Sequence, residues 1–203
     1  FWSEKMNTQV INPSLSIHDD GLLEGGMSSG SRDGEGVPRR QQALVEDGRL
    51  TSMLWSTRDA AQQVAEGRID GAQSTGSATS GGHQSPPSTG CTELFLTSTQ
   101  PAQSTDQLLE RMGDGYIVNS VMGAHTANPS SGDFSVTTSS ILKVEGGEIV
   151  GALKQAGLSG NLAKALNGPV VLGQEVRRQG SYSSGSMHLP DVLLMDGLRI
   201  NPA

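Results

Sequence analysis

Aromatic residues are scarce in this chain, at 3% of 203 residues. A core built from it has to be aliphatic, assembled from Leu, Val, Ile, Ala and Met. Cysteine is nearly absent: the one thiol, Cys91, excludes an intrachain disulfide and points to a reducing compartment. Positive charge is thin. Lys and Arg number 14 against 21 Asp and Glu, a net charge of −7, and the only adjacent basic pairs are Arg39-Arg40 and Arg177-Arg178. A phosphate-binding face needs clustered cations, so a nucleic-acid surface is not expected. No run approaches the ~18 apolar residues of a membrane helix. The opening residues Phe1-Trp2-Ser3-Glu4-Lys5 have neither the charged nor the apolar region of a signal peptide. These absences lead us to expect a cytoplasmic location, and the non-Met first residue a piece of something longer.

Glycine is plentiful, at 27 residues, and brings the apolar share into the ordinary range. The pattern predicts a strand over residues 15–19 and a polar, flexible loop over 25–36. Residues 43–55 read as a hairpin turning at Asp47-Gly48. A helix is expected over 57–66, opened by Ser56 or Thr57 and ended by Gly67, with a Ser/Thr/Gly-rich surface loop over 73–90 and a strand over 93–97. A second helix follows over 105–112, capped by Ser104 or Thr105, then a buried strand over 116–121. Residues 134–150 read as a hairpin about Gly146-Gly147, 157–166 as a third helix opened by Ser159, 170–178 as a strand and 192–200 as a last hairpin at Asp196-Gly197. The expected fold is α+β: a largely antiparallel, hairpin-rich sheet with about three short helices.

Residues 123–135, Gly-Ala-His-Thr-Ala-Asn-Pro-Ser-Ser-Gly-Asp-Phe-Ser, hold the densest chemistry. His125 and Asp133 flank one turn and could form a base and its orienting carboxylate; the alternative is a structural loop in which Asp133 accepts backbone N–H groups. Asn128-Pro129 is turn chemistry. Ser131-Gly132-Asp133 lacks the surroundings of a serine nucleophile elbow. Ser159-Gly160-Asn161 offers either an N-cap or free N–H groups for an anion. His18-Asp19-Asp20 ends a strand and reads as a solvated strand end, with a weak metal site as the alternative. Cys91 reads as a small buried hydrophobe, and nothing is assigned to His83 or His188.

This loop, with four further stretches in order, resembles the C-terminal domain of the TldD/PmbA family, metallopeptidase-related proteins once called modulators of DNA gyrase. The others are Glu35-Gly36-Val37-Pro38-Arg39-Arg40 with Leu44-Val45-Glu46-Asp47-Gly48-Arg49-Leu50, then Ser74-Thr75-Gly76-Ser77-Ala78, Leu158-Ser159-Gly160-Asn161-Leu162 and Gly197-Leu198-Arg199-Ile200. The resemblance implies a single such domain over 1–203. It also implies a zinc chemistry that in the TldD branch uses an H-E-x-x-x-H helix and a cysteine near the C-terminus. Here no two of His18, His83, His125 and His188 lie within a helical turn, and Gly180-Ser181-Tyr182-Ser183-Ser184-Gly185-Ser186 holds no thiol. By resemblance the chain looks like a PmbA (TldE)-type subunit without catalytic residues, metal ligands or cofactor of its own. Its partner would be a zinc-bearing TldD-like subunit or a second copy, and it would help handle peptide substrates. His125, Asn128, Asp133, Arg39, Arg40 and Asn161 would face substrate or partner. Two alternatives stand: a complete metallopeptidase whose metal helix lies upstream, or a non-proteolytic β-rich binding module.

Overall fold

The computed structural model describes residues 2, 4–80, 82, 84–180 and 185–202; His83 and residues 181–184, singled out above, lie outside these. In chain order the elements are β1 (Leu15–Asp20), β2 (Gln41–Glu46), β3 (Arg49–Leu50), α1 (Thr57–Ala65), β4 (Ala78–Thr79), β5 (Ser88–Thr89), β6 (Glu93–Ser98), α2 (Thr105–Met112) and β7 (Gly115–Met122). They continue with β8 (Asp133–Glu145), β9 (Glu148–Leu153), β10 (Ala156–Asn161), α3 (Leu162–Asn167), β11 (Val170–Gly180), β12 (Ser186–Leu194) and β13 (Leu198–Pro202). The α+β expectation holds. The strands form a six-stranded sheet, order β11-β12-β6-β1-β2-β3, a five-stranded sheet, order β13-β10-β8-β7 with β9 also on β8, and the ribbon β4-β5. The chain divides into two compact units, residues 1–14, 98–175 and 190–203, and residues 15–97 and 176–189.

The first unit is organised by β8, which pairs antiparallel with β7 along one side and with β10 and β9 in turn along the other. Val136, Thr138 and Val144 are buried while Ser135, Ser139 and Glu145 are exposed, the in-and-out pattern of a sheet with one covered face, and Ile141 is buried out of that phase where the register with β7 is irregular. Thr138 is fully buried without cost, because its hydroxyl donates to the Ala156 carbonyl (3.1 Å) and accepts from the Ala156 N–H (3.0 Å). Helix α2 begins at a capping box between Ser104 and Gln107 and ends at Gly113, φ 63°. Its Leu108 and Met112, one turn apart, pack with Val171 and Leu193. Each such side chain, taken from water, contributes about 1.5–3 kcal/mol.

In the second unit the Asp47-Gly48 turn joins β2 to β3 with both residues at positive φ, 47° and 76°, the geometry a two-residue hairpin demands. Leu15, Val45, Leu50, Ala60 and Ala78 are buried there. Ser56 and Asp59 cap α1 reciprocally.

Four expectations are corrected. Residues 157–166 do not form one helix: Gly157, Ser159 and Gly160 lie in β10 between β8 and β13, and the six-residue α3 starts only after Asn161. Glycine and serine are poor helix formers, and burying Leu158 and Ala156 in the sheet outweighs the helical signal. Residues 192–200 are not a hairpin: Gly197 (φ 79°) turns the chain out of the six-stranded sheet and into the five-stranded one. Strand β7 is not buried but lies at a sheet edge, with residues 119–122 exposed. Within residues 73–90, expected as surface loop, Thr75, Gly76, Ser77 and Ala78 are buried.

Candidate functional site

In the first unit the loop after β7 is exposed yet tightly tied. Gly123, φ 88°, opens a 3-10 turn over Ala124–Thr126. The Asn128 side-chain oxygen then accepts the N–H groups of Ser130 (2.8 Å) and Ser131 (3.3 Å), and the Asn128 N–H donates to the Asp133 carbonyl (2.9 Å). The Asp133 carboxylate takes the Ser131 hydroxyl (2.7 Å) and the Asn161 Nδ2–H (2.7 Å). Those two bonds, Asn161 first, hold its carboxyl below the usual range. Asn161 also donates to the Ser131 carbonyl (2.9 Å) and caps α3 by accepting the Lys164 N–H (3.0 Å). Asn128, Asp133 and Asn161 therefore form one network from three places in the chain. His125 stands apart, exposed on the 3-10 turn, and among the described residues no hydrogen bond joins it to Asp133. The base–orienter pair is not assembled here; the carboxylate shapes the loop.

In the second unit, Arg39 and Arg40 bind loop carbonyls rather than projecting free. Arg39 Nη1 donates to the Gly76 carbonyl (3.4 Å) and the Thr92 hydroxyl (3.0 Å), and Arg40 Nη2 to the Ser74 carbonyl (2.7 Å). Buried Asp33 accepts the N–H groups of Glu35 (2.9 Å), Val37 (2.9 Å) and Ala78 (3.0 Å). Two sequence motifs 40 residues apart are thus clasped together by side chain to backbone bonds, as the Gly34 N–H to Ala78 carbonyl bond (2.8 Å) also shows.

Sequence reasoning missed Glu93 and expected Asp19 and Asp20 at a solvated strand end, whereas all three are buried. Glu93 has no exposed side-chain surface. It accepts the Ser28 N–H (2.8 Å) and bonds His188 Nε2 (2.8 Å), with Arg178 Nη2 at 3.6 Å. Burial opposes its charge, but the Ser28 N–H, the His188 bond and the Arg178 cation outweigh burial and hold the carboxyl below its ordinary value. His188 stacks on Phe95, and Phe95 on His18, with centroids 4.2 and 4.9 Å apart across β12, β6 and β1. Asp19, also buried, accepts the Thr92 N–H (2.7 Å) and hydroxyl (3.1 Å), yet burial pushes its carboxyl up. The one available signal was a Glu between Cys-Thr and an apolar strand run; its partner, 95 residues away, is invisible to local pattern.

This donor set does not fit a zinc ion. Among the described residues no three of His, Cys, Asp and Glu converge as metal ligands. His188 is committed to Glu93, and the Cys91 thiol is pushed up first by burial and then by Asp19 and Glu93, away from the thiolate a metal needs. Among the described residues no helix is long and apolar enough to cross a membrane.

The profile of the PmbA/TldA metallopeptidase C-terminal domain matches residues 1–201. An uncharacterized protein of Methanocaldococcus jannaschii is 30% identical over 184 residues, 90% of this chain and 40% of that protein. Two Haemophilus influenzae proteins also match: a metalloprotease TldD homolog, 28% identical over 77% of this chain and 30% of its own length, and a metalloprotease PmbA homolog, 26% identical over 99% and 39%. The chain thus spans about two fifths or less of these relatives. The crystal structure of TldE from Thermococcus kodakarensis superposes with a TM-score of 0.80 over 98% of this chain and 42% of its own, at 22% identity, which speaks to the fold alone. On the strength of the profile match along nearly its whole length, the chain belongs to the PmbA/TldD metallopeptidase family and corresponds to its C-terminal domain.

Proposed function

We propose that this domain serves a PmbA/TldE-type subunit of a zinc metalloprotease assembly, shaping the path of a peptide substrate and docking a zinc-bearing TldD-like partner. The observation that carries this reading is the donor set: every strongly placed carboxylate and imidazole described above is spent on the protein's own backbone or on another side chain. Extended peptides would add to an open strand edge, main chain to main chain. Strand β7, which among the described residues pairs only with β8 and runs exposed into the turn carrying His125 and Asn128, suits that use. In the second unit the loops that Arg39 and Arg40 clasp through the Gly76 and Ser74 carbonyls would offer a substrate- or partner-facing surface of their own. A cytoplasmic location accords with the single thiol and acidic charge.

The similarity to a TldD homolog over 77% of the chain favours a second reading, a TldD-like parent whose metal ligands lie elsewhere in a longer protein. Metal content and peptidase activity, measured on the full product of the parent gene alone and mixed with a zinc-bearing TldD-type subunit, separate the two. Activity only in the mixture supports the scaffold reading. Stoichiometric zinc with cleavage by that product alone overturns it and supports the second.

A further inference from the structure

Strand β9 is an edge with unusual exposure. It pairs with β8 on one side and with no strand on the other among the described residues. Residues 148–152 are all exposed, and Ile149 and Val150 leave 51% and 52% of their surface in water. Edges of this kind are normally protected, because unpaired N–H and C=O groups and apolar side chains invite another strand. The protection here is partial: a bulge between the Lys143–Gly151 and Val144–Ile149 pairs.

The charges along this edge read as self-complementary. Glu148 opens β9 and Lys154 follows its last residue. Glu148 sits directly across from Glu145 on β8, and Glu145 has already taken Lys143 as its ion-pair partner. Like charges facing each other across a strand pair are unfavourable, and among the described residues no ion pair joins Glu148 to a cation. Laid antiparallel against a second copy of itself about Gly151, β9 places Glu148 opposite Lys154 twice over, Ile149 opposite Leu153 and Val150 opposite Ala152. Gly151 would face Gly151 on the two-fold axis.

We infer that the β9 edge is a self-recognition surface, through which two copies of this domain join antiparallel about a two-fold axis at Gly151. The interface is isologous, each copy giving the same residues. It is small and carries a bulge, so it produces a weak dimer with a Kd on the order of 10–100 µM, well below standard interfaces in area. This pairing does not depend on the zinc reading above, since it uses only residues 145–154.

The test is sedimentation equilibrium across that concentration range, with hydrogen exchange of residues 147–155 as a second readout. The wild type is expected to dimerise and to gain protection in β9 as concentration rises. Glu148→Lys and Lys154→Glu, each alone, turn both attractive pairs repulsive and should weaken the dimer about thirty-fold. Mixed one to one, the two variants regain opposite charges at both positions and should dimerise as the wild type does, which also shows that each is folded. A wild type that stays monomeric at several hundred micromolar overturns the inference. So does a dimer indifferent to either variant, a mixture that fails to recover, or β9 protection that arises only on adding an extended peptide.

Discussion

Replacing Glu93 by glutamine removes a buried charge while keeping the side chain's length. The glutamine can still accept from the Ser28 N–H and can donate to His188 in its other tautomer, so the 2.8 Å bonds on both sides survive as neutral ones. Charge-assisted bonds are worth about 1.5–3 kcal/mol against about 0.5–1.5 for neutral ones, so two such changes cost about 2 kcal/mol. Arg178, 35% exposed and 3.6 Å away, is screened by water and adds about 0.5 kcal/mol at most. The amide escapes the penalty of burying a charge, which offsets part of this, and a net loss of about 1–2 kcal/mol at pH 7 is expected. The pH dependence carries a definite sign. The folded Glu93 carboxyl sits below its ordinary range, so the unfolded chain binds more protons there. Its contribution is complete above the ordinary glutamate pKa of about 4.3 and is lost as pH falls through the lower folded value. Asp19, whose carboxyl burial pushes up, acts with the opposite sign in both proteins and cancels in the difference. Urea midpoints followed by circular dichroism at pH 7, 5 and 3.5 should show a gap between wild type and E93Q that is widest at neutral pH and closes in acid. A gap below about 0.5 kcal/mol at pH 7, or one that does not narrow in acid, refutes the reasoning.

Gly197→Ala should destabilise by about 2–3 kcal/mol in urea unfolding, because φ is 79° and the new Cβ would sit 2.7 Å from the Ala165 nitrogen. Asp33→Ala leaves three N–H groups without their acceptor and should cost about 3 kcal/mol, with hydrogen exchange at Val37 and Ala78 rising most. Ser56→Ala removes the α1 cap and should lower stability by about 1 kcal/mol. Asn161→Ala should speed amide exchange across residues 128–133 while leaving α1 untouched, because it removes the Asp133 and Ser131 bonds and the α3 cap together.

What the sequence determined on its own was local chemistry and family. The turns at Asp47-Gly48 and Gly146-Gly147 and the caps at Ser56 and Ser104 depend on residues within a few positions of each other. Backbone preference and a neighbouring side chain suffice to encode them. The ordered motifs were equally legible, and the α+β class followed from their punctuation. Tertiary structure alone decided which strands meet. Leu158 and its glycine neighbours became β10 because a sheet stood on both sides of them, and the turn at Gly197 exchanged sheets because β10, not β12, offered β13 its pairing edge. Glu93 met His188 through the parallel register of β6 with β12, in which Phe95 lies opposite His188. Such a register is set by which apolar faces can be covered together, and a one-residue slip would turn every side chain to the other face. That condition involves the whole assembled core, so no local stretch of sequence can state it.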